Sequence, residues 1–294
     1  MIADSRHAYA AASAAEGDHQ AAADVFAQAL ERAPHFAPAA FGLAVACERL
    51  GRRDEARAAF AKCLALAPAD ELGAALHLAR LEGGGAPAIP PLAYVAALFD
   101  QYAESFDAHL TSALGYDGPQ VLLAAVVRLA PRRFPVLLDL GCGTGLAAAA
   151  FAALTDRRAG VDVSAKMVAQ AQAKGLYQRL AVADAVDFLD AEPEASADLV
   201  LAADVMPYVG ELRGMIRAAA RALRPDGLFA FTVQSAQAGM ELGSDLRYAH
   251  SPAYLAGAAS SAGLCMVALE MASVRRDRGV PVPGLVVVLA KPAE

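Results

Sequence analysis

The sequence predicts an N-terminal all-α domain followed by an α/β domain whose seven-stranded sheet is covered by helices on both faces. Three observations predict this order. The first 70 residues carry a repeat, a glycine- and proline-rich segment follows at 83–91, and short apolar strands alternate with helical segments from Val136 onward. Strands that alternate with helices are typical of sheets with helical layers on both sides. We therefore expect domains at 1–86 and 135–294, separated by a linker and short helices at 87–134.

The repeat has a period of 34 residues. Shifting the sequence by that length places Gly17 on Gly51, Phe26 on Phe60 and Pro34 on Pro68. A glycine between two helices, small residues and phenylalanine on the second helix and proline at its end resemble the tetratricopeptide repeat. The resemblance implies two repeats, at about 3–36 and 37–70, followed by a capping helix at 71–82.

The second domain opens with an apolar strand, Val136 to Leu140, and three alternating glycines, Gly141, Gly143 and Gly145. This pattern predicts a buried strand that turns tightly into a helix and leaves its backbone open to a ligand of the nucleotide type. The dinucleotide pattern G-x-G-x-x-G would place a small residue at 146, where this chain has Leu146, so a nicotinamide dehydrogenase is disfavoured.

Acidic residues follow each of the next strands. The second strand, 159–164, contains Asp162, and in a parallel β-α-β unit an acid at this point lies beside the first strand, where it accepts both hydroxyls of a ribose. Asp184 follows the third strand, and Asp204 ends the fourth. The remaining elements are a turn at 223–227, strands at 228–233, 264–272 and 285–290, and a helix at 252–262.

This series of motifs resembles the class I S-adenosylmethionine-dependent methyltransferases, whose sheet is Rossmann-like and seven-stranded. The resemblance implies S-adenosyl-L-methionine as the cofactor, with adenine read by Asp184 and the backbone of Ala185. The cofactor-binding residues that it implies are Asp139, Gly141, Cys142, Gly143, Gly145, Asp162, Val163, Met167, Asp184, Ala185, Ala203 and Asp204. A purely structural role, in which the glycines set the turn and the acids cap helices, is the alternative.

The segment before the first strand contains two Phe-Asp pairs, at 99–100 and 106–107, which lie seven residues apart and so share one helix face. Residues 99–110 resemble a signature of predicted bacterial methyltransferases that carry tetratricopeptide repeats. The resemblance implies a lid over the cofactor. An aromatic face stabilises a sulfonium cation, and Tyr102 is our candidate for that contact. The alternative is that Phe99, Tyr102 and Phe106 form the buried stripe of an amphipathic helix.

Methyl transfer needs a general base only when the acceptor is protonated, as a hydroxyl is. The candidate bases are His109 and His250, and Tyr208 is placed at the mouth of the cleft. The segment from Asp204 to Tyr208 lacks the Asn/Asp-Pro-Pro-Tyr arrangement of enzymes that methylate adenine or glutamine nitrogens. Arg275, Arg276 and Arg278 either attract an anionic acceptor or are solvated loop charges.

The composition limits the partners and the compartment. A net charge of -7 and an isoelectric point near 5.4 argue against unaided binding of nucleic acid. The four cysteines lack metal-ligand spacing and lie in apolar segments, which indicates no metal and buried thiols in a reducing compartment. The first 18 residues lack the order of a signal peptide, and the longest uncharged stretch, 251–269, is broken by glycine and proline. We expect a cytoplasmic protein that contacts no membrane.

The leading hypothesis is methyl transfer to a small-molecule or protein acceptor that the sequence does not identify. The repeats would then recruit a peptide partner or mediate self-association as a homodimer. The alternative from another class is a scaffold that binds peptides through its repeats and keeps a cofactor-binding fold without turnover.

Overall fold

The structure is a computed structural model, and it describes residues 17–83, 90–104, 106–108, 117–273, 276–277 and 280–293. The chain divides into two compact units, Met1–Tyr94 and Val95–Glu294.

The described part of the first unit is a stack of helices in which each packs against the next. Its helices are α1 (His19–Arg32), α2 (Ala37–Arg49), α3 (Arg53–Leu66) and α4 (Ala74–Glu82). Phe26 and Phe60, which occupy matched positions of the repeat, are both buried, and the ring of Phe26 lies directly on Gly42 of the next helix. This packing confirms the predicted repeat architecture, although the first helix of the first repeat falls outside the described residues.

The capping helix begins at Ala74, three residues later than predicted. Gly73 has a left-handed backbone with φ of 75°, and the carboxylate of Asp70 accepts hydrogen bonds from the amides of Ala74, at 2.7 Å, and Ala75, at 3.0 Å. Because these two amides have no partner inside the helix, the aspartate fixes where the helix starts.

The second unit begins with helices and continues as an α/β fold. Its helices are α5 (Leu92–Tyr102), which begins at the end of the first unit, α6 (Phe106–Ala108), α7 (Gly118–Leu129), α8 (Leu146–Ala150), α9 (Ala165–Ala173), α10 (Ala185–Ala191), α11 (Arg213–Ala222) and α12 (Pro252–Ser261). Its strands are β1 (Val136–Leu140), β2 (Arg157–Asp162), β3 (Arg179–Val182), β4 (Ala197–Ala202), β5 (Leu223–Ser235), β6 (Met240–Leu242), β7 (Tyr248–His250), β8 (Cys265–Ala272), β9 (Arg276–Asp277), β10 (Val280–Pro281) and β11 (Gly284–Ala290).

The strand order of the main sheet is β3-β2-β1-β4-β5-β11-β8. The first five strands of this order are parallel, and β11 runs antiparallel to both of its neighbours. The seven strands predicted from the sequence are all present, which confirms the α/β class. The sequence analysis missed the hairpin β6–β7, which extends the sheet because β7 pairs in parallel with the end of β5.

Alternate residues of the central strands face two separate cores. Leu138, Val200 and Phe229 belong to one buried cluster, whereas Leu137, Leu199 and Ala230 belong to the cluster on the opposite face. Each of the leucine, valine and phenylalanine side chains contributes roughly 1.5–3 kcal/mol when it leaves water, so burial on both faces fixes the register of the strands. The carboxyl ends of β1, β2 and β4 are thereby held at one edge.

Three of the cysteines, Cys47, Cys63 and Cys142, are buried, but Cys265 on the edge strand β8 is exposed, so the expectation of four buried thiols is wrong at this position. None of the helices in the described part of the chain combines the length and the hydrophobicity that a membrane span requires.

Candidate active site

The turn between β1 and α8 requires glycine at three positions. Gly141, Gly143 and Gly145 have φ of 57°, 51° and 92°, a region that residues with a side chain rarely adopt. A Cβ added at Gly141 would lie 2.4 Å from Cγ2 of Val205, which follows β4. A Cβ added at Gly143 would lie 3.7 Å from Cε1 of Phe106 and would meet no other described atom within 4 Å, so the side-chain position there is open except for one ring.

Asp162, at the end of β2, lies against this turn. Its Oδ2 accepts a hydrogen bond from the Gly143 amide at 2.9 Å, and its Oδ1 accepts one from the Ser164 amide at 2.9 Å. The residue is 9% exposed, and burial raises its pKa, while the amide hydrogen bonds oppose that rise. Each carboxylate oxygen has a second lone pair, so the group retains acceptor capacity for a ribose hydroxyl.

Asp139, inside β1, is 1% exposed and accepts a hydrogen bond at Oδ2 from the hydroxyl of Tyr177, at 2.6 Å. Burial raises the pKa of Asp139 to about 7, the hydrogen bond from Tyr177 opposes the rise, and the charge of Asp162 adds to it. The ring of Tyr177 also packs on Gly145 and Gly160, so it forms one wall of the glycine turn. The sequence analysis missed Tyr177, which belongs to no motif.

We predict that Tyr177→Phe raises the pKa of Asp139 further, because the substitution removes the hydrogen bond that favours the carboxylate. A folded-state pKa above the ordinary value of 3.8 means that the folded protein binds more protons than the unfolded chain between pH 3.8 and about 7. Stability therefore falls as the pH rises through this window. The substitution extends that window upward. Titration of the carboxyl carbon by NMR measures the shift.

The control is Tyr254→Phe, which removes another tyrosine hydroxyl bonded to an acid, Glu211, at 2.5 Å. It should leave the titration of Asp139 unchanged. An unchanged Asp139 pKa in Tyr177→Phe would contradict the account.

Asp184 and Ala185, the predicted adenine contacts, form the start of α10. Oδ1 of Asp184 accepts hydrogen bonds from the amides of Val186, at 2.7 Å, and Asp187, at 3.3 Å, so the carboxylate caps this helix. Both residues are half-buried at the carboxyl end of β3. Val163 is half-buried after β2, whereas the side chain of Met167 is fully buried in the core of the unit.

The carboxyl end of β4 contributes Ala203 and Asp204. Both are half-buried, and Asp204 has a left-handed φ of 58°. Its amide donates a hydrogen bond to Oγ1 of Thr232 at 2.9 Å, which holds the turn to β5. Burial raises the pKa of Asp204 to about 6, while the positive charge of Arg247 lowers it.

The lid segment 99–108 contacts these strand ends through both of its Phe-Asp pairs. Asp100 accepts hydrogen bonds from the Ser164 hydroxyl, at 2.5 Å, and the Lys166 amide, at 3.2 Å, at the start of α9. Asp107 accepts one from the Thr144 hydroxyl and forms a salt bridge with Lys174 at 2.6 Å. The two acids therefore connect the lid to the glycine turn and to the end of β2.

The aromatic residues of the lid have different surroundings. Phe106, for which a place in the buried stripe of a helix was the alternative, lies over Gly143. The ring of Phe99 packs edge-on against Tyr208 with centroids 5.0 Å apart. Tyr102, the candidate for the sulfonium contact, is 48% exposed. A ring that faces solvent to this extent stabilises a cation less than a desolvated one, so Phe106 is better placed for that contact.

The structure describes one of the two histidines that are candidate bases. His109 lies outside the described residues. His250 is 0% exposed, and its Nε2–H donates to the carbonyl oxygen of Gly210 at 2.7 Å. Burial also lowers its pKa, and the ring has no exposed nitrogen with which to reach an acceptor. Tyr208 is half-buried in the short 3₁₀ helix Met206–Tyr208 that follows β4, and its position at the mouth of a cleft stays a prediction. Its catalytic role, like the cofactor-binding roles above, stays a prediction.

The arginines of the last connection are only partly described. Arg275 and Arg278 lie outside the described residues, and Arg276 belongs to β9, which pairs only with β10.

Two family models match the chain, and they fall on the two kinds of structure described above. Residues 138–231 match the methyltransferase domain, and residues 13–81 match the tetratricopeptide repeat. The chain carries a methyltransferase domain. The match includes β1 to most of β5, the glycine turn and the acids at the strand ends. The resemblances to the tetratricopeptide repeat and to the methyltransferases are thereby confirmed. Residues 99–110 lie outside both matches, so the resemblance drawn from that segment stays a prediction.

Relatives with similar sequences are also named methyltransferases. The chain is 35% identical over 136 residues to methyltransferase-like protein 27 of Homo sapiens. The aligned region covers 45% of this chain and 55% of that protein. It is 33% identical over 110 residues to a ubiquinone biosynthesis O-methyltransferase of Xanthomonas oryzae pv. oryzae, which covers 36% of this chain and 46% of that protein. The chain thus spans about half the length of these relatives.

Solved structures share the fold of the methyltransferase domain. The 1,6-didemethyltoxoflavin-N1-methyltransferase of Burkholderia thailandensis, solved with S-adenosylhomocysteine, is 21% identical with a TM-score of 0.54 and covers 71% of this chain and 93% of its own. The [4+2]-cyclase SpnF is 20% identical with a TM-score of 0.57 and covers 71% and 98%. One fold therefore serves different reactions, and the site must indicate which one this chain performs.

Proposed function

We propose that the methyltransferase domain transfers a methyl group from S-adenosyl-L-methionine to a nucleophilic acceptor, and that the cofactor lies against the turn 141–145. The observation that carries this proposal is the open backbone at Gly143. Its amide donates a hydrogen bond to Asp162, and the ring of the lid residue Phe106 lies beside it. A turn without side chains, an acid with spare acceptor capacity and an apolar ring suit an adenosyl group with a positively charged sulfur. The residues present therefore fit the cofactor.

The bound cofactor would supply an electrophilic methyl group on a sulfonium. The chain would then need to hold the adenosyl group, align the acceptor and exclude water. Asp162 would accept hydrogen bonds from the ribose hydroxyls, and Asp184 with the amide of Ala185 would bind adenine. The lid, held by Asp100 and Asp107, would shield the site.

The relatives named O-methyltransferases suggest oxygen as the atom methylated, but they match only part of this chain. For a hydroxyl acceptor, Asp204 is a better-placed base than His250, because it is half-buried at the carboxyl end of β4 and its pKa is raised to about 6. A group that titrates near neutral pH is ionised often enough to accept a proton and basic enough to remove one.

For the repeats we propose a role in recruiting a peptide partner or in self-association. Stacked helices that bury alanine and phenylalanine between them leave their outer surfaces for such contacts. Light scattering on the full chain and on a chain that begins at residue 87 would separate the two roles, since only self-association depends on the protein's own concentration. We place the protein in the cytoplasm, as the sequence analysis expects.

Transfer of label from methyl-labelled S-adenosylmethionine into a cell extract tests the proposed activity. The alternative scaffold binds the cofactor without turnover. Label that enters an extract component with the wild-type protein but not with Asp162→Ala supports methyl transfer. Binding of S-adenosylhomocysteine without any label transfer favours the scaffold.

We predict that Asp107→Ala weakens the affinity for S-adenosylhomocysteine about tenfold, through faster dissociation, which corresponds to the loss of one charge-assisted hydrogen bond. The substitution removes the contacts of the lid with Thr144 and Lys174. Stopped-flow dissociation measures the effect. Asp190→Ala, which removes an exposed acid from α10, is the control and should release the ligand at the wild-type rate. Equal rates in both variants would show that the lid does not retain the cofactor.

A further inference from the structure

Two arginines of the methyltransferase domain stack on tyrosine rings, and they differ in one respect. Arg213 lies over Tyr254 with its guanidinium carbon 5.0 Å from the ring centroid, and it also forms a salt bridge with Glu211 at 2.7 Å. Arg247 lies over Tyr208 at 5.4 Å. Among the residues that the structure describes, no carboxylate lies within salt-bridge distance of Arg247, although the residue is half-buried.

Arg247 stands at the edge of the sheet where the cofactor site lies. It directly precedes β7, which pairs with the end of β5, and its stacking partner Tyr208 follows β4. Phe99 of the lid packs on the same tyrosine. Val205, three residues before Tyr208, contacts Gly141 of the glycine turn. The arginine therefore lies at the same edge of the sheet as the glycine turn and the lid, and it is linked to both through Tyr208 and its neighbours.

Two acids lie near Arg247, and neither forms a salt bridge with its guanidinium in the part of the chain that the structure describes. Oδ1 of Asp245 accepts a hydrogen bond from the backbone amide of Arg247 at 3.2 Å. Asp204 interacts with the arginine through space, since the charge of Arg247 lowers the pKa of Asp204. Removing a guanidinium partly from water costs free energy unless a partner replaces the lost hydrogen bonds. Its two parallel N–H donors match the two oxygens of a carboxylate or a phosphate. Stacking on Tyr208 orients the guanidinium of Arg247, and its N–H donors stay available for such an anionic group.

We propose that Arg247, held on the ring of Tyr208, binds an anionic oxygen group of the methyl acceptor, a carboxylate or a phosphate. This inference rests on the proposed function, because it assigns the acceptor class of the same site. Arg213 is paired with a glutamate, whereas Arg247 forms no salt bridge in the described structure. The anionic group of the acceptor would take the place of that glutamate. Acceptors with an anionic group near the methylated atom would be selected over their neutral counterparts.

The test uses the full chain saturated with S-adenosylhomocysteine and follows arginine Nε–H resonances by NMR. Acetate and phosphate are the two probes, each added at constant ionic strength, and the Arg247 resonance is identified by its loss in Arg247→Gln. We expect it to shift with one of the probes and to saturate with a dissociation constant on the order of 10 mM, the affinity of a single bidentate contact. The probe that binds more tightly distinguishes a carboxylate from a phosphate.

Arg213 is the internal control, and its resonance should not move, because its Nη1 already donates to Glu211. Arg247→Lys keeps the charge but not the fork, and it should bind either anion at least fivefold more weakly than wild type. The absence of a saturable shift at Arg247, or an equal shift at Arg213, would overturn the proposal. Calorimetry with S-adenosylhomocysteine separates this failure from a failure of the proposed function, since Arg247→Gln should bind that ligand as the wild type does.

Discussion

Substitution of Gly143 by leucine is expected to abolish the binding of S-adenosylhomocysteine while leaving the domain folded. The residue has φ of 51°, and the space beside it is bounded in the described structure by Phe106 alone, at 3.7 Å from an added Cβ. A four-carbon side chain would fill the place proposed for the adenosyl group. We expect a loss of affinity of at least a hundredfold in titration calorimetry, or about 2.7 kcal/mol.

Gly175→Leu is the matched control. Gly175 also has a left-handed backbone, with φ of 64°, and no described atom lies within 4 Å of an added Cβ. Both variants carry a backbone penalty of roughly 1 kcal/mol, so their melting temperatures should fall by similar amounts. Only Gly143→Leu should lose the ligand. Equal affinities in the two variants would show that the turn does not hold the cofactor.

Asp162→Ala is expected to produce the second largest effect. It removes the proposed ribose contact and the hydrogen bonds to the amides of Gly143 and Ser164, so the turn loses its support as well. We expect the affinity for S-adenosylhomocysteine to fall by roughly 1–3 kcal/mol, between about fivefold and more than a hundredfold. Titration calorimetry at pH 8 measures the loss.

A thermodynamic cycle separates the ribose contact from the support of the turn. The second ligand is the S-adenosylhomocysteine analogue that lacks the ribose 2′-hydroxyl. If Asp162 binds that hydroxyl, its removal weakens binding to the wild type but changes nothing in Asp162→Ala. Asp162→Asn, which keeps one oxygen acceptor, should show an intermediate loss. An equal effect of the missing hydroxyl on the wild type and Asp162→Ala would mean that the ribose lies elsewhere.

The sequence predicted those features that local spacing controls. Three glycines at alternate positions predict a turn with left-handed backbone angles, whichever element follows it. Apolar strands that alternate with helices predict a sheet covered on both faces. The ends of the strands then place Asp139, Asp162, Asp184 and Asp204 at or near one edge. The 34-residue period predicted in the same way that Phe26 and Phe60 occupy equivalent buried positions.

Contacts between distant segments could not be predicted. Tyr177 bonds to Asp139 across 38 positions of the chain, and Asp107 bonds to Thr144 across 37, without any motif that marks either pair. The hairpin β6–β7 consists of two three-residue strands, too short for a period of two to show. His250 was chosen as a base because histidine titrates near neutral pH, but its burial against Gly210 depends on how β7 joins the sheet.

A crystal structure of the protein with S-adenosylhomocysteine would show whether the glycine turn holds the cofactor. We predict ligand density against residues 141–145, with a ribose hydroxyl within hydrogen-bond distance of Asp162 and the ring of Phe106 over the ligand. A saturated crystal in which the ligand lies elsewhere, or in which Phe106 fills the space beside Gly143 and no ligand binds, would contradict it.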